Sequence, residues 1–490
     1  MSFPVNIVLA VESNEPLFKQ LARQLREAIT TGKLPPGKPL PPTRRLADEL
    51  GVSRFTVIES YRLLASQGLI EAGRGSGSRV AQNLATIPTD REHDAVADAQ
   101  PASNVSSYAK RIASIGPLHE DNPYITSELN YGGIAADLLP IKTWRQMMST
   151  YSRSLDSGIF DPWHDPLGFG PLRDALADYV SRTRGVSASP SQVAVFSGYQ
   201  PAMECIARVL VDAGEVVAAE NPGYIGASKT FEYQGAKILP IEADSSGMQV
   251  HQLGALETPP RVILTTPSLQ EPTGVTMSNE RRNWLLDYAH KNSLFIIEDD
   301  YDSEYRYGAK PVPSLHSMDK NGLVIFVGNF RKMLYPLIRL AFIVVPPNLV
   351  RYVELAKSSV ERDLPIVEQC ALNEFIASGN LEKHVQKTRG ILNERRQTLV
   401  HELTVQFGKG VTLTRENSGT HIMVDFHTDM PDDQILDLAK DCHANLVSFS
   451  EYYLDNRETN GQFLWSYLSG STEEIKKSVI ALAQAMRGGV

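Results

Sequence analysis

Five short, apolar, β-branched runs, at 193–196, 216–219, 262–265, 294–297 and 323–327, alternate with stretches of helical periodicity through the middle of the chain. Strands that are apolar on both faces, with helices between them, bury both faces only in a mostly parallel sheet covered on either side. The pattern predicts an α/β domain. It also predicts where that domain does its chemistry, at the carboxyl edge of the strands, where loops from several elements converge. Beyond residue 360 the sequence reads as a smaller α/β part with strands near 421–425 and 463–467.

The first 80 residues carry a different pattern. Leu17, Leu21, Leu25 and Ile29 recur at helical spacing up to Gly32, with Pro35 and Pro36 beyond. Thr43 is placed to cap a short helix bearing Leu46, Ala47 and Leu50, closed by Gly51. Ser53 is placed to cap a third helix bearing Val57, Ile58, Tyr61, Leu64 and Ala65, which stops at Gly68. Strand-like segments at 69–72 and 78–81 flank a Gly-Arg-Gly-Ser-Gly turn. Two helices joined through Gly51-Val52-Ser53 have the spacing of a helix-turn-helix, whose second helix reads base edges in the major groove. On that reading Arg54, Phe55, Thr56 and Glu59 face the bases, and Arg44, Arg45 and Ser53 reach phosphates. Arg74, with Gly75 and Gly77, forms a wing against the backbone or minor groove. A three-helix packing domain with solvated arginines fits the same spacing.

The net charge of −9 is unevenly spread: residues 1–80 hold 11 Lys/Arg against 7 Asp/Glu, leaving 37 basic and 50 acidic residues elsewhere. A basic head on an acidic body confines any contact with nucleic acid to the N-terminus. From 82 to 122 the periodicity fades into Thr, Asp, Ala, Ser and Asn with Pro88, Pro101 and Pro117, the composition of a linker. The chain therefore divides into a head (1–81), a linker (82–122) and a body (123–490), with the body's large part at about 123–360 and its small part at about 361–490. No apolar run approaches the roughly 18 residues needed to span a bilayer, and the start lacks the features of a secretory signal. Cys205, Cys370 and Cys442 lie far apart in no metal-ligand spacing, which points to a cytoplasmic protein with no disulfide framework and no metal.

The carboxyl edge of the expected sheet collects a particular set of side chains. Lys332 follows the run 323–327, and Arg339 lies seven residues on, able to clamp a phosphate. Asp299 ends the run 294–297, 33 residues before Lys332, and Tyr301 is two residues beyond it. Gly198, Tyr199 and Gln200 follow a strand and open a helix, offering backbone amides to an anion. Tyr224 sits on a Pro-Gly turn. A lysine amine for a Schiff base, a carboxylate for a pyridinium proton, donors for a phosphate and an aromatic face over a ring are what pyridoxal phosphate requires of a protein. Singly, each has a plainer reading: a surface lysine, a capped turn, a core tyrosine. Their order makes the case.

The run from Leu40 to Val80 resembles the GntR-family winged helix, with its L-P-P-T-R, L-G-V-S-R-F-T-V and G-S-G-S-R-V elements. Residues from about 129 to 485 resemble fold-type I aminotransferases through LLPIKTW, SGYQPAMECIARVLVDAGEVVAAENPGYIGA, IIEDDYDSEYRY and GNFRKMLYPLIRLAFIVVP. Together they resemble the MocR/GabR-type branch of GntR regulators over nearly the whole length. The resemblance implies an N-terminal α+β winged helix-turn-helix on double-stranded operator DNA and a C-terminal α/β pyridoxal phosphate domain. It also implies a head-to-tail, domain-swapped homodimer, cytoplasmic and associated with the nucleoid when on its operator. Lys332 would be the cofactor lysine, Asp299 the partner of the pyridine nitrogen, Tyr301 the donor to the phenolic oxygen and Arg339 a phosphate ligand. Tyr224 would stack on the ring, and Gly198, Tyr199 and Gln200 would cup the phosphate.

This chain departs from the family at three places. Arg331 stands where serine precedes the lysine, Leu269 and Glu271 replace a histidine and an aromatic, and Leu464 occupies the position of the carboxylate-binding arginine. A buried carboxylate without a cation is costly, so recognition of simple α-amino acids is not expected unless Arg415 or an arginine of a partner subunit substitutes. The leading expectation is a regulator that senses pyridoxal phosphate, an amine or an amino acid and alters operator binding. The alternatives are a working aminotransferase with an accessory DNA-binding head and a cofactor-free scaffold in which Lys332 is structural.

Overall fold

Proline and glycine set the limits of the head's helices α1 (Leu17–Thr30), α2 (Thr43–Leu50) and α3 (Arg54–Ser66). Pro16 and Pro42, with backbone angles suited to the start of a helix, precede α1 and α2. Thr43 is therefore the first helical residue and not the cap expected from sequence. Gly51, in the left-handed region at φ 65°, ends α2. Ser53 does cap α3, its Oγ accepting from the Thr56 amide at 3.1 Å. Leu21, Leu25, Leu46, Val57, Tyr61 and Leu64 interlock as the head's core. Strands β1 (Ile70–Gly73) and β2 (Gly77–Val80) pair antiparallel from Ile70↔Val80 to Gly73↔Gly77. The segment 38–40 lies along the outer edge of β2, through Leu40 N–H to Ser78 O (2.8 Å) and Val80 N–H to Lys38 O (2.9 Å).

The computed structural model describes residues 7, 9–10, 16–73, 77–82, 104–117, 134–153, 165–307, 312–414, 419–455 and 457–488. It divides into two compact units, Met1–Asn104 and Val105–Val490. Arg74, Gly75 and Arg415 lie outside the described residues, and Gly77 is described by its backbone alone.

The body is built on β3 (Val193–Phe196), β4 (Val216–Asn221), β5 (Lys237–Asp244), β6 (Gly247–Met248), β7 (Val262–Thr265), β8 (Phe295–Asp299), β9 (Val324–Asn329) and β10 (Ala341–Val344). Their order is β3-β10-β9-β8-β7-β4-β5-β6, with only β10 and β6 antiparallel to their neighbours. All five runs read from sequence are strands. Leu176, Val180 and Phe342 fall in the apolar cluster on one face of this sheet, and Met203, Ile206 and Ile343 in that on the other. The small part is a wholly antiparallel sheet of β11 (Val411–Thr414), β12 (His421–Phe426), β13 (Leu446–Ser448) and β14 (Gln462–Ser466), in the order β11-β12-β14-β13. Helices Asn380–Phe407 and Thr472–Gly488 share its core through Leu392, Leu399, Ile422, Phe463 and Val479.

The stretch 82–122 is not linker throughout. It contains α4 (Ser107–Ile115), capped by Ser106, whose Oγ accepts from the Ala109 amide at 3.1 Å. Arg111 Nε donates to Tyr233 O at 2.8 Å, and the Tyr233 hydroxyl donates to Gly116 O at 2.5 Å, so this helix belongs to the body. Backbone carbonyls serve as anchors at both contacts, and they leave no trace in residue type.

Candidate cofactor site and DNA-reading helix

Strand register gathers the candidate residues at one edge. Asp299 lies opposite Val327 in the parallel β8–β9 pair, and Ala341, which opens β10, pairs with both Asn329 and Phe196. The carboxyl ends of β3, β8 and β9 and the start of β10 therefore meet. Gly198, Asp299, Lys332 and Arg339 all follow or precede these ends by a few residues.

Asp299 is buried at this edge. Its Oδ2 accepts from the Tyr199 hydroxyl at 2.7 Å, while Oδ1 has no partner among the described residues. Burial pushes the carboxyl up to about 8; the hydrogen bond from Tyr199 opposes the rise, and nearby Glu271, Asp300 and Glu220 add to it. An unmatched, buried carboxylate oxygen is costly alone and suited to a protonated ring nitrogen.

Gly198 precedes the helix Tyr199–Leu210, and a side chain there would begin 3.3 Å from Arg339 Nε. The missing Cβ lets the guanidinium approach a helix start whose first amides have no partner within the helix, which is an anion cradle. Tyr199 and Gln200 offer it only their backbone. The Tyr199 ring turns inward to Asp299, and Gln200 Nε2 donates to the Tyr224 hydroxyl at 3.3 Å while its Oε1 accepts from Thr230 Oγ1 at 2.8 Å. Tyr224 heads the helix Ile225–Gln234 and meets Tyr199 edge to face, with ring centroids 5.7 Å apart. Tyr301 is buried just beyond β8. Lys332 lies half-buried on the short helix Arg331–Leu334, its carbonyl 3.4 Å from the Tyr305 hydroxyl that donates to it. An amine, an unmatched carboxylate oxygen, an anion cradle and two tyrosine rings fit pyridoxal phosphate.

Sequence reasoning missed how Asp299 is aimed. Alternation along β8 sends Glu298 and Asp300 to the side opposite Asp299. There Glu298 accepts the Leu315 and His316 amides, each at 2.7 Å. Asp300 takes a bidentate contact from buried Arg184, at 2.7 Å from Nε and 2.6 Å from the terminal nitrogen that also donates to Ser268 Oγ. Three consecutive acids after an apolar run were the available signal: two had to find partners of their own.

Leu464 is fully buried on β14 in an apolar cluster with Val447, Phe449 and Tyr452. The Gly223 amide donates to Tyr452 O at 2.8 Å, which joins that cluster to the turn bearing Tyr224. The position assigned to a carboxylate-binding arginine is thus part of an apolar wall.

In the head, Arg44, Ser53, Arg54 and Phe55 are exposed, Phe55 by 69%. Arg45 pairs with Glu49 at 2.8 Å. Thr56 shares a 2.8 Å hydrogen bond with the capping Ser53 hydroxyl, and Arg54 Nε lies 3.4 Å from Thr43 Oγ1. The start of α3 thus presents polar and aromatic side chains together.

Residues 17–80 match the family described as bacterial regulatory proteins, gntR family, and residues 136–474 match aminotransferase class I and II. The chain is 32% identical to the probable rhizopine catabolism regulatory protein MocR of Rhizobium meliloti, over 98% of this chain and 95% of that one. The chain belongs to the MocR-type regulators. It is also 27% identical to the pyridoxine biosynthesis transcriptional regulator PdxR of Corynebacterium glutamicum, over 93% of each chain. Among solved structures, the kynurenine aminotransferase of Pyrococcus horikoshii superposes with a TM-score of 0.68 at 24% identity, covering 81% of this chain and 99% of that one. The fold of this MocR-type body is that of the fold-type I aminotransferases, and its cofactor is pyridoxal phosphate. Among the described residues no helix is long and apolar enough to cross a membrane.

Proposed function

We propose that this MocR-type chain is a cytoplasmic sensor that reads pyridoxal phosphate, or an amine presented to it, and changes how the head binds operator DNA. The reading is supported by a set of residues fit to hold the cofactor, the unmatched Asp299 oxygen first among them, together with the apolar surroundings of Leu464. When bound, pyridoxal phosphate supplies a carbonyl carbon for an amine and an electron-withdrawing ring. Lys332 supplies the amine that anchors it, Asp299 holds the proton on the ring nitrogen, and Arg339 with the Gly198 helix start binds the phosphate. Tyr301 donates to the phenolic oxygen, and Tyr224 covers the ring. An enzyme for ordinary amino acids would need a cation for the α-carboxylate, and β14 supplies leucine. Arg44, Arg45, Ser53, Arg54 and Thr56, with the wing at Arg74, Gly75 and Gly77, are the residues proposed to touch DNA.

The chain is proposed to work as a head-to-tail homodimer. The helix Val350–Val360 supports a second copy, since it leaves Tyr352, Leu355 and Val360 between 52% and 64% exposed. The test of the cofactor site is direct. Purified chain is expected to absorb in the visible on adding pyridoxal phosphate and to lose that band in Lys332→Ala. A colourless wild-type chain with no affinity for the cofactor would sink the proposal. Fast, multiple-turnover transamination of α-amino acids that is indifferent to DNA would replace it with the enzyme reading.

A further inference from the structure

The start of α3 carries a large apolar side chain that the helix itself does not need. Among the described residues no large apolar side chain is more exposed than Phe55, at 69%, and Ile58, one turn on, is 39% exposed. At about 3.6 residues per turn, Phe55, Ile58, Glu59 and Arg62 share one side of the helix. Val57, Tyr61 and Leu64 take the other side, in the head's core. A phenylalanine in the first turn satisfies none of the free amides and is a poorer helix former than alanine, lysine or glutamate. That turn also holds no acid, although a carboxylate there would favour the helix dipole. It holds exposed Arg54 instead, and exposed Arg44 belongs to α2.

The polar groups around Phe55 are turned to one another. The Ser53 and Thr56 hydroxyls share a 2.8 Å hydrogen bond, and Arg54 Nε lies 3.4 Å from Thr43 Oγ1. Glu59 is 3.6 Å from the Arg62 guanidinium. The phenyl ring therefore projects between cations suited to phosphates, at the end of the helix that meets base edges in a helix-turn-helix.

We infer that Phe55, extended by Ile58, reads thymine, packing on the 5-methyl groups of the operator's major groove. The inference rests on the proposed DNA contact of the head and adds to it the base that is read. A phenyl ring has no donor or acceptor for a base edge, and the thymine methyl is the apolar group that the major groove presents. A second protein would find the same ring, but Arg44 and Arg54 beside it match an anionic surface.

The test first enriches duplexes from a random pool with the full chain. Thymines of the enriched site are then replaced one at a time by deoxyuridine, which deletes the methyl and keeps every groove donor and acceptor. Wild type is expected to lose about fourfold in affinity at one or more of these positions, the value of burying one such group. Phe55→Ala is expected to bind the thymine duplex more weakly by a similar factor and to treat thymine and deoxyuridine alike there. Phe55→Leu is expected to keep part of the difference. Wild-type affinity that ignores every deoxyuridine would overturn the proposal, as would an enriched site without thymine. Full discrimination retained in Phe55→Ala would overturn it too. Unchanged DNA binding with altered self-association in that variant would assign the ring to a second copy. Failure of wild type to enrich any duplex would instead remove the reading beneath the proposal, and the enrichment step separates the two.

Discussion

The two oxygens of Asp299 have different surroundings, and the difference makes the site receptive. Oδ2 is held by Tyr199 and Oδ1 is unmatched, so the cofactor-free site keeps a buried carboxyl whose proton leaves only near pH 8. Burial raises Glu298 and Glu304 as well, each to about 7. Groups raised on folding stabilise the folded chain fully below the ordinary carboxylate range near pH 4. That contribution is lost as pH climbs through their folded values. Cofactor-free chain is therefore expected to show a melting temperature that falls between pH 5 and 8, with a shallower fall in Asp299→Asn. Equal slopes in the two would show that Asp299 is not the titrating group. That Asp299, Lys332 and Arg339 fall at one edge of the sheet was legible in the sequence, because the strands order them. The Tyr199 hydroxyl on Asp299 was not, since a tyrosine at a helix start reads equally well as packing.

At the scale of elements, the apolar runs named five strands of the large sheet correctly because each is buried on both faces. Strand β5, half-exposed and interrupted by Lys237, Pro240 and Glu242, carries no such run and was missed. So was β10, which reverses direction among parallel neighbours and so falls outside the strand–helix alternation. Helix α4 was hidden for a similar reason: its contacts to the body are hydrogen bonds to carbonyls. The segment after β8 is tied down by a buried ion pair, Arg184 with Asp300, among other contacts. Removing one partner of such a pair strands a charge and costs about 3–5 kcal/mol. Arg184→Ala is expected to lower the stability of the body by that amount in denaturant unfolding and to weaken pyridoxal phosphate binding through a misplaced Asp299. A loss below about 1 kcal/mol, the range of a surface pair, would mean that Arg184 and Asp300 do not fix the segment.

At the scale of the whole molecule, two units of different charge share one chain, a basic head of 80 residues and an acidic body. Their identities were readable from spacing and resemblance, whereas the effector was not, because what a pocket accepts depends on side chains that the fold brings together from distant parts of a chain. Neither unit alone links the cofactor to DNA, so the proposed link is a property of the whole chain. It is tested most directly by measuring the affinity of the full chain for duplexes selected from a random pool, with and without pyridoxal phosphate, beside Lys332→Ala. Pyridoxal phosphate is expected to shift the wild-type affinity by about tenfold, a coupling of about 1.4 kcal/mol, and to leave Lys332→Ala unmoved. Wild type and variant responding alike, or neither responding to pyridoxal phosphate or to any amine, would contradict it.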